Sequence, residues 1–123
     1  MISGSCACGA IRFTATAIPT NASACHCSQC RKMSGHVWVS AQVPETALRI
    51  LGPVRWIELT TTARRGICPD CGAFLFWHGR NEPEISIALG AVDGPTGLHL
   101  QKHIFTAHKG DYYQITNDLP QRP

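Results

Sequence analysis

Residues 25–35 read Cys25-His26-Cys27-Ser28-Gln29-Cys30-Arg31-Lys32-Met33-Ser34-Gly35, with three thiols in six residues and a basic pair directly after them. Two further cysteine pairs flank this stretch at a distance, Cys6-Ala7-Cys8 and Cys68-Pro69-Asp70-Cys71. The seven cysteines therefore divide into four plus three. Four thiolates close a structural zinc site, whereas three leave one coordination position for another ligand. We expect the protein to act at that remaining position.

The two outer cysteine pairs have the turn chemistry of a zinc knuckle. In the CxxC pair a tight turn brings both thiols to one metal, and the glycine after it allows positive φ, so that amide N–H groups approach the sulfurs. The CxC pair is also followed by glycine, and on a strand its thiols would share one face. The alternative is a set of free thiols or small buried hydrophobic residues. The predicted ligands of a structural zinc are Cys6, Cys8, Cys68 and Cys71.

The central cysteines combine both spacings, because the CxC and the CxxC share Cys27. Three sulfurs can therefore surround a single metal. A histidine as fourth ligand would close the site as a structural one, and a disulfide redox pair is a second alternative. A thioredoxin-like motif is excluded because no βαβ pattern surrounds the CxxC. His26, between two ligands, should point away from the metal, and the remaining candidates are His36, His78, His99, His103 and His108.

The charge of the central cluster limits which fourth ligand its metal would bind. Three thiolates outweigh a dication, so such a zinc is a weaker Lewis acid than one held by three neutral histidines. A soft thiol suits the fourth position better than water, because it becomes a thiolate on binding. A zinc with four thiolates carries two net negative charges and needs cations nearby. Arg31 and Lys32, which follow the last ligand, are predicted to supply them as cofactor-binding residues, the alternative being solvated charges after a short turn. The predicted catalytic residues are Cys25, Cys27 and Cys30.

Composition and patterning predict a single all-β domain over residues 1–123 with at most one or two short helical turns. Hydrophobic residues make up 44% and charged residues 15%, which suits a buried core and argues against disorder. Ser28 is predicted to cap a short helix that Gly35 ends. Alternating segments bounded by Gly or Pro indicate strands near residues 9–17, 37–43, 48–50, 55–61, 65–68, 74–76, 85–91 and 102–107.

Charge and hydropathy argue against several classes of protein. The formal net charge is +3, and the basic residues are dispersed rather than gathered as in a nucleic-acid binder. No apolar run approaches the roughly 20 residues that span a bilayer. The first five residues lack the features of a signal peptide. We therefore expect a cytoplasmic protein without nucleic-acid or membrane partners, in which clustered cysteines bind metal more often than they form disulfides.

Several stretches resemble the glutathione-dependent formaldehyde-activating (GFA, centromere-protein-V-like) family, and the likeness covers nearly the whole chain. The three cysteine motifs occur in the family's order, which makes the resemblance specific. The matching stretches are Gly4-Ser5-Cys6-Ala7-Cys8-Gly9-Ala10-Ile11, residues 25–35, Cys68-Pro69-Asp70-Cys71-Gly72, His103-Ile104-Phe105 and Asp118-Leu119-Pro120.

The resemblance implies an all-β "tent" of small antiparallel sheets with two zinc sites. The structural zinc would take Cys6, Cys8, Cys68 and Cys71, and the catalytic zinc would take Cys25, Cys27 and Cys30. The implied activity is carbon–sulfur lyase chemistry, which interconverts S-(hydroxymethyl)glutathione with glutathione and formaldehyde. Glutathione is thus the implied co-substrate, and the implied partners are a small thiol and an aldehyde.

Two other functions stay open on the sequence alone. A non-catalytic module would carry glutathione or another thiol, or serve as a zinc-dependent binding domain, without turnover. A nucleic-acid or chromatin binder would need its basic residues on one face, and would bind DNA in a salt-dependent way.

Overall fold

Ten strands, one α-helix and three short 3-10 helices make up the computed structural model, which describes residues 1–123. The helix, α1, spans Ser28–Ser34. None of the helices is both long and apolar enough to cross a bilayer. The strands are β1 (Ile2–Ser5), β2 (Arg12–Ala15), β3 (Thr20–Cys25), β4 (Trp38–Pro44), β5 (Leu48–Leu51), β6 (Arg55–Ile57), β7 (Ala63–Ile67), β8 (Phe74–Gly79), β9 (Glu84–Ala88) and β10 (Lys102–Ile104).

The strands form a small and a large sheet. The small sheet has the order β1-β2-β5, and the large one has the order β10-β3-β4-β9-β8-β7-β6. All pairs are antiparallel except β10 and β3, which run parallel. The parallel pair places residues 102–104 beside residues 23–25. The C-terminal part of the chain therefore lies next to the first cysteine of the central motif.

The main core joins residues of both sheets. Phe13 of β2 meets Phe76 of β8 edge-on, with ring centroids 5.6 Å apart. Burial of such side chains contributes about 1.5–3 kcal/mol each. Cys6 and Cys68, one cysteine from each outer pair, belong to the same core. Its members are Cys6, Ile11, Phe13, Ala15, Val43, Cys68, Leu75, Phe76, Ile85 and Ile87.

A second, smaller core lies beside the central cysteines. Trp38 of β4 stacks on Phe74 of β8 at 4.1 Å between centroids and donates its indole N–H to the Phe74 carbonyl at 3.1 Å. Phe74 and Phe76 lie in different clusters because a bulge at Leu75 interrupts the pairing with β7. The members of the second core are Cys25, Cys30, Trp38, Phe74 and Ala88.

The all-β prediction with one short helix is confirmed, but several details differ. β1 and β3 were not predicted as strands, because short polar segments such as Thr20–Cys25 carry little alternation. The strand predicted near residues 55–61 ends at Ile57, and Leu59 beyond it is exposed. The strand predicted to reach residue 91 ends at Ala88, and a 3-10 helix follows.

Gly4 sits where the small sheet approaches the 3-10 helix after β9, and a side chain there should not fit. A Cβ at this position would lie 2.3 Å from the Ala91 carbonyl oxygen and 2.4 Å from the Phe13 ring. We predict that Gly4→Ala lowers the free energy of unfolding by about 1–3 kcal/mol or more, as overpacking does. Chemical denaturation measures this change.

Gly90→Ala is the matched control, because a Cβ at Gly90 would meet nothing within 4 Å. This variant should be neutral or slightly stabilising, by less than about 1 kcal/mol. Equal midpoints for the two variants would contradict the close approach of the small sheet to residue 91.

Candidate metal centres

Four cysteine sulfurs meet between the end of β1 and the end of β7. Cys6 directly follows β1 and Cys68 directly follows β7. The Cys6 and Cys8 sulfurs are 3.6 Å apart, and the Cys8 and Cys68 sulfurs are 3.7 Å apart. With the Cys71 sulfur, all four lie within 4.8 Å of one another, and none forms a disulfide. These four residues are called the tetrad below.

The later half of the tetrad is a tight turn. Cys68 donates its N–H to the Ala73 carbonyl at 3.0 Å, and Gly72 donates to the Cys68 carbonyl at 2.9 Å. Gly72 has φ +79°, which glycine adopts without steric cost. The N–H groups of Ala73 and then Cys8 lower the pKa of Cys71 to about 6. The turn therefore favours the thiolate form that binds a metal.

The earlier half of the tetrad is also a turn. β1 ends at Ser5, and Gly9, with φ +81°, donates its N–H to the Cys6 carbonyl at 3.2 Å. The N–H of Ile11 points at the Cys6 sulfur at 3.2 Å. The prediction that Cys6 and Cys8 share one face of a strand is therefore wrong, because the turn brings their thiols together.

The spacing of the tetrad sulfurs fits zinc. A tetrahedral site with Zn–S bonds of about 2.3 Å requires sulfurs about 3.8 Å apart. The Cys6–Cys8 and Cys8–Cys68 separations, 3.6 and 3.7 Å, lie close to that value. They are far longer than the roughly 2.05 Å of a disulfide bond. The donor set and its geometry thus suit a closed zinc site.

The central cysteines form a second cluster, called the triad below. Cys25 ends β3, Cys27 is the N-cap of α1, and Cys30 lies in the first turn of that helix. Their sulfurs lie within 4.8 Å of one another. The Cys27 sulfur accepts the N–H of Cys30 at 3.4 Å, so Cys27 and not the predicted Ser28 caps the helix. Gly35, with φ +87°, ends α1 as predicted.

The triad concentrates negative charge on its middle member. Hydrogen bonds from the thiols of Cys25 and then Cys30 lower the pKa of Cys27 to about 2. The same hydrogen bonding to Cys27 raises the pKa of Cys25 to about 11. The pKa of Cys30 is also raised, by its hydrogen bonds to Cys25 and Cys27. A soft dication can displace the two retained protons, so the triad also can hold zinc.

The histidine inside the motif is turned away from the sulfurs. His26 is 1% exposed, with its Nδ1 on the Tyr113 hydroxyl and its Nε2 2.9 Å from Nδ1 of His103. His103 in turn contacts Asn117 at 3.0 Å. Burial and the neighbouring His103 lower the pKa of His26. This buried chain of polar side chains ties the C-terminal segment to the triad loop.

The other histidines lie outside the triad as well. His36 bonds to the Tyr112 hydroxyl at 2.7 Å, and His78 bonds to the Glu82 carbonyl at 2.8 Å. His99 and His108 are exposed. No histidine or carboxylate joins the three sulfurs within 4.8 Å, so the chain offers three ligands there.

A cavity of about 620 Å³ opens onto the triad. This volume lies in the range of roughly 300–1,000 Å³ that is usual for small-molecule sites. The large sheet, α1 and the C-terminal segment all contribute to its wall. Besides the three triad cysteines, its lining includes Asn21, Ser23, Gln29, Trp38, Ser40, Gln42, Arg65, Trp77, Glu82, Ser86, Lys102, Ile104, Phe105 and Arg122.

The predicted basic pair lies apart from this cavity. Arg31 donates its Nε to the His108 carbonyl at 3.0 Å, and Lys32 is exposed. Neither side chain lines the cavity, and their role in ligand binding stays a prediction. The cations of the cavity wall are Arg65, Lys102 and Arg122, which motif spacing did not reveal. The sequence did hold one indication of a buried cation. Arg64 and Arg65 are consecutive in a strand, and consecutive residues of a strand face opposite sides, so one of the two should face inward.

Comparison with known proteins agrees with this architecture. A solved structure of a Rhodobacter sphaeroides protein, determined as a structural-genomics target, is similar with a TM-score of 0.63 and 25% sequence identity. The match covers 76% of this chain and 89% of that one. A search of curated proteins finds no match.

The fold and its two cysteine clusters define a small β protein with two groups of cysteines that could each hold a metal ion. The family model described as "Glutathione-dependent formaldehyde-activating enzyme" matches residues 1–108. The chain belongs to this family.

The two clusters should bind zinc independently. We predict two zinc ions per chain in the wild type and one in Cys27→Ser, with the fold retained, since the tetrad is untouched. Metal analysis of the purified proteins, with circular dichroism, measures both. Ser28→Ala, a change at the exposed neighbouring residue, should keep two ions. Two ions in Cys27→Ser would show that the triad is not a separate site.

Zinc bound at the tetrad should contribute strongly to the free energy of unfolding. The Cys71 side chain is exposed, so Cys71→Ser removes little packing and reports the metal ligand itself. We predict a loss of several kcal/mol in the free energy of unfolding with zinc present, because structural zinc supplies on the order of 10–16 kcal/mol of apparent binding energy in small zinc domains.

A chelator provides the control for this stability measurement. With zinc removed from both proteins, wild type and Cys71→Ser should unfold at nearly the same denaturant concentration. Coincident transitions already in the presence of zinc would rule out a stabilising metal at the tetrad.

Proposed function

We propose that this family member binds a small thiol at the triad and forms or cleaves its S-hydroxymethyl adduct with formaldehyde or a related aldehyde. Membership of the glutathione-dependent formaldehyde-activating family supports this reaction class. The observation that carries the proposal is the position of Cys25, Cys27 and Cys30, whose sulfurs converge in the wall of the 620 Å³ cavity. The tetrad takes the structural role, and the triad takes the catalytic one.

The number of ligands favours a thiol as the bound group. Three protein sulfurs leave one position of a tetrahedral site for substrate, as in catalytic zinc centres. Zinc held there would supply a substrate thiolate at neutral pH. His26 cannot close the site in this arrangement, because both its ring nitrogens are engaged by Tyr113 and His103.

The cavity would then hold the thiol and the aldehyde close together. The sulfur lone pair of the thiolate attacks the carbonyl carbon and forms the C–S bond. The π electrons of the carbonyl move to oxygen, which takes up one proton, so that thiol plus formaldehyde gives the hydroxymethyl thioether without other reactants. Cleavage is the reverse. Alignment of two reactants in one cavity can lower the barrier by about 7–11 kcal/mol.

The lining of the cavity suits a peptide thiol such as glutathione. Asn21 donates to Gln42 at 2.8 Å, and both amides line the cavity. Hydroxyl groups add further donors and acceptors, while two indole rings supply apolar surface. A tripeptide presents amide groups that pair with such side chains. The polar lining consists of Ser23, Ser40, Thr60, Thr62 and Ser86, and the indoles are Trp38 and Trp77.

One observation favours a second function, a thiol-binding module without turnover. No histidine lines the cavity, and Glu82, its single carboxylate side chain, is exposed. The cavity wall therefore holds no buried histidine or carboxylate that could act as a conventional general acid or base. Such a module would carry glutathione or another thiol at the triad.

Adduct exchange between glutathione and formaldehyde tests the proposal. We expect the zinc-loaded protein to accelerate exchange at least about a hundredfold over the same solution without protein, since positioning alone supplies that much. Exchange spectroscopy by NMR measures the rate. Cys27→Ser should fall to background while keeping the tetrad zinc, and Ser28→Ala should stay within twofold of wild type. Binding of glutathione with no acceleration would favour the non-catalytic module.

A further inference from the structure

Arg65 is a buried cation without an ionic partner. It lies in β7 opposite Trp77 of β8, and 3% of its surface is exposed. Its Nη2 donates to the side-chain oxygen of Gln29 at 2.8 Å, and Gln29 lies between two triad cysteines in sequence. The one close contact between a basic and an acidic side chain, His78 with Glu45 at 3.6 Å, does not include it. Arginine remains charged at all ordinary pH values.

The guanidinium of Arg65 has donors that the chain does not use. Its Nε and Nη1 are buried and have no hydrogen-bond acceptor within the protein. An unmade hydrogen bond on a buried charged group is costly, and such groups are normally paired. The neighbouring Arg64 shows the ordinary alternative, since it is half-buried with its guanidinium 4.1 Å from the Trp56 ring centroid.

The surroundings of Arg65 point to an anion in the triad cavity. Arg65 lines that cavity together with Lys102 and Arg122, and Glu82 is the single opposing carboxylate side chain. A guanidinium offers planar pairs of N–H donors that match a carboxylate. Because Gln29 bonds to Arg65 from within α1, the guanidinium and the triad sulfurs belong to one site.

We propose that Arg65 binds a carboxylate of the thiol substrate, so that the site selects carboxylate-bearing thiols over neutral ones. This inference rests on the proposed function, because it assigns the other end of the molecule whose sulfur meets the triad. Arg65 is then the specificity-determining residue of the cavity. Lys102 is half-buried and Arg122 is exposed. These two cations therefore raise the local concentration of anions in general but do not select one thiol over another.

Pairs of thiols that differ only in charge test this assignment. The probes are 3-mercaptopropionate against its amide, and glutathione against its diethyl ester, titrated calorimetrically into the zinc-loaded protein. We expect the wild type to bind the acid roughly tenfold to a hundredfold more tightly in at least one pair, as a charge-assisted hydrogen bond would give. In Arg65→Gln the preference should fall below about twofold.

Matched variants separate recognition from general charge effects. Arg64→Gln, a change on the same strand outside the cavity, should keep the full preference. Lys102→Gln and Arg122→Gln should keep most of it. If either of them abolishes the preference while Arg65→Gln keeps it, the assignment to Arg65 is overturned. Equal weakening of acid and amide in Arg65→Gln would make Arg65 a counter-charge of the triad and would also overturn it.

Stability supplies a second readout. A buried cation with unmade hydrogen bonds does not stabilise the fold, so Arg65→Gln should unfold at or above the wild-type temperature. A clear fall would assign Arg65 to the fold instead. If thiols bind without discrimination by charge, this inference fails and the proposed function stands. If no thiol binds at all, both fail together.

Discussion

The meeting of Cys6 and Cys8 with Cys68 and Cys71 is the constraint on which the rest of the fold depends. These residues follow β1 of the small sheet and β7 of the large sheet, and they lie 60 or more positions apart between the pairs. Closing so long a loop costs conformational entropy before any contact stabilises it. A zinc ion shared by the four thiolates would offset that cost at one point. Cys6 and Cys68 also extend the main core, so the cysteine cluster is continuous with the apolar packing.

The position of the triad follows from that junction through a short chain of contacts. The turn at Cys68 fixes the pairing of β7 with β8, where the bulge at Leu75 turns Phe74 toward the second core. Phe74 stacks on Trp38, the residue that opens β4 shortly after α1. On the other side, His26 is fixed by Tyr113 and His103. The triad loop is therefore supported both by the large sheet and by the C-terminal segment.

Sequence reasoning recovered the parts of this protein that short-range chemistry dictates. The CxC and CxxC spacings identified both clusters, because the distance between ligands is set by turns within a few residues. The helix ending at Gly35 followed from the same kind of local signal. Alternation located most strands of the core for the same reason, but it failed at Leu75, since a bulge depends on the partner strand and not on the strand itself.

The parts that sequence reasoning missed depend on long-range geometry. The cavity is lined by Arg65 of β7, Lys102 of β10 and Gln29 of α1. Their proximity follows from the strand order of the large sheet, which the sequence pattern does not specify. The parallel pairing of β10 with β3 is such a case, because no local pattern specifies it. Proximity in sequence suggested Arg31 and Lys32 instead, yet helix geometry turns these side chains toward His108 and solvent.

With zinc bound at the triad, opposite charges would face the same cavity, and each is unfavourable without a partner. A zinc ion held by three thiolates carries excess negative charge, while the Arg65 guanidinium is buried with donors unpaired. Gln29, which lies between Cys27 and Cys30 in sequence, accepts a hydrogen bond from the guanidinium. A hydrophobic residue at position 65 would fill the same wall at lower desolvation cost. Under the proposed function, a molecule with a thiol at one end and an anion at the other would satisfy both charges, which would explain why a buried cation is kept in this wall.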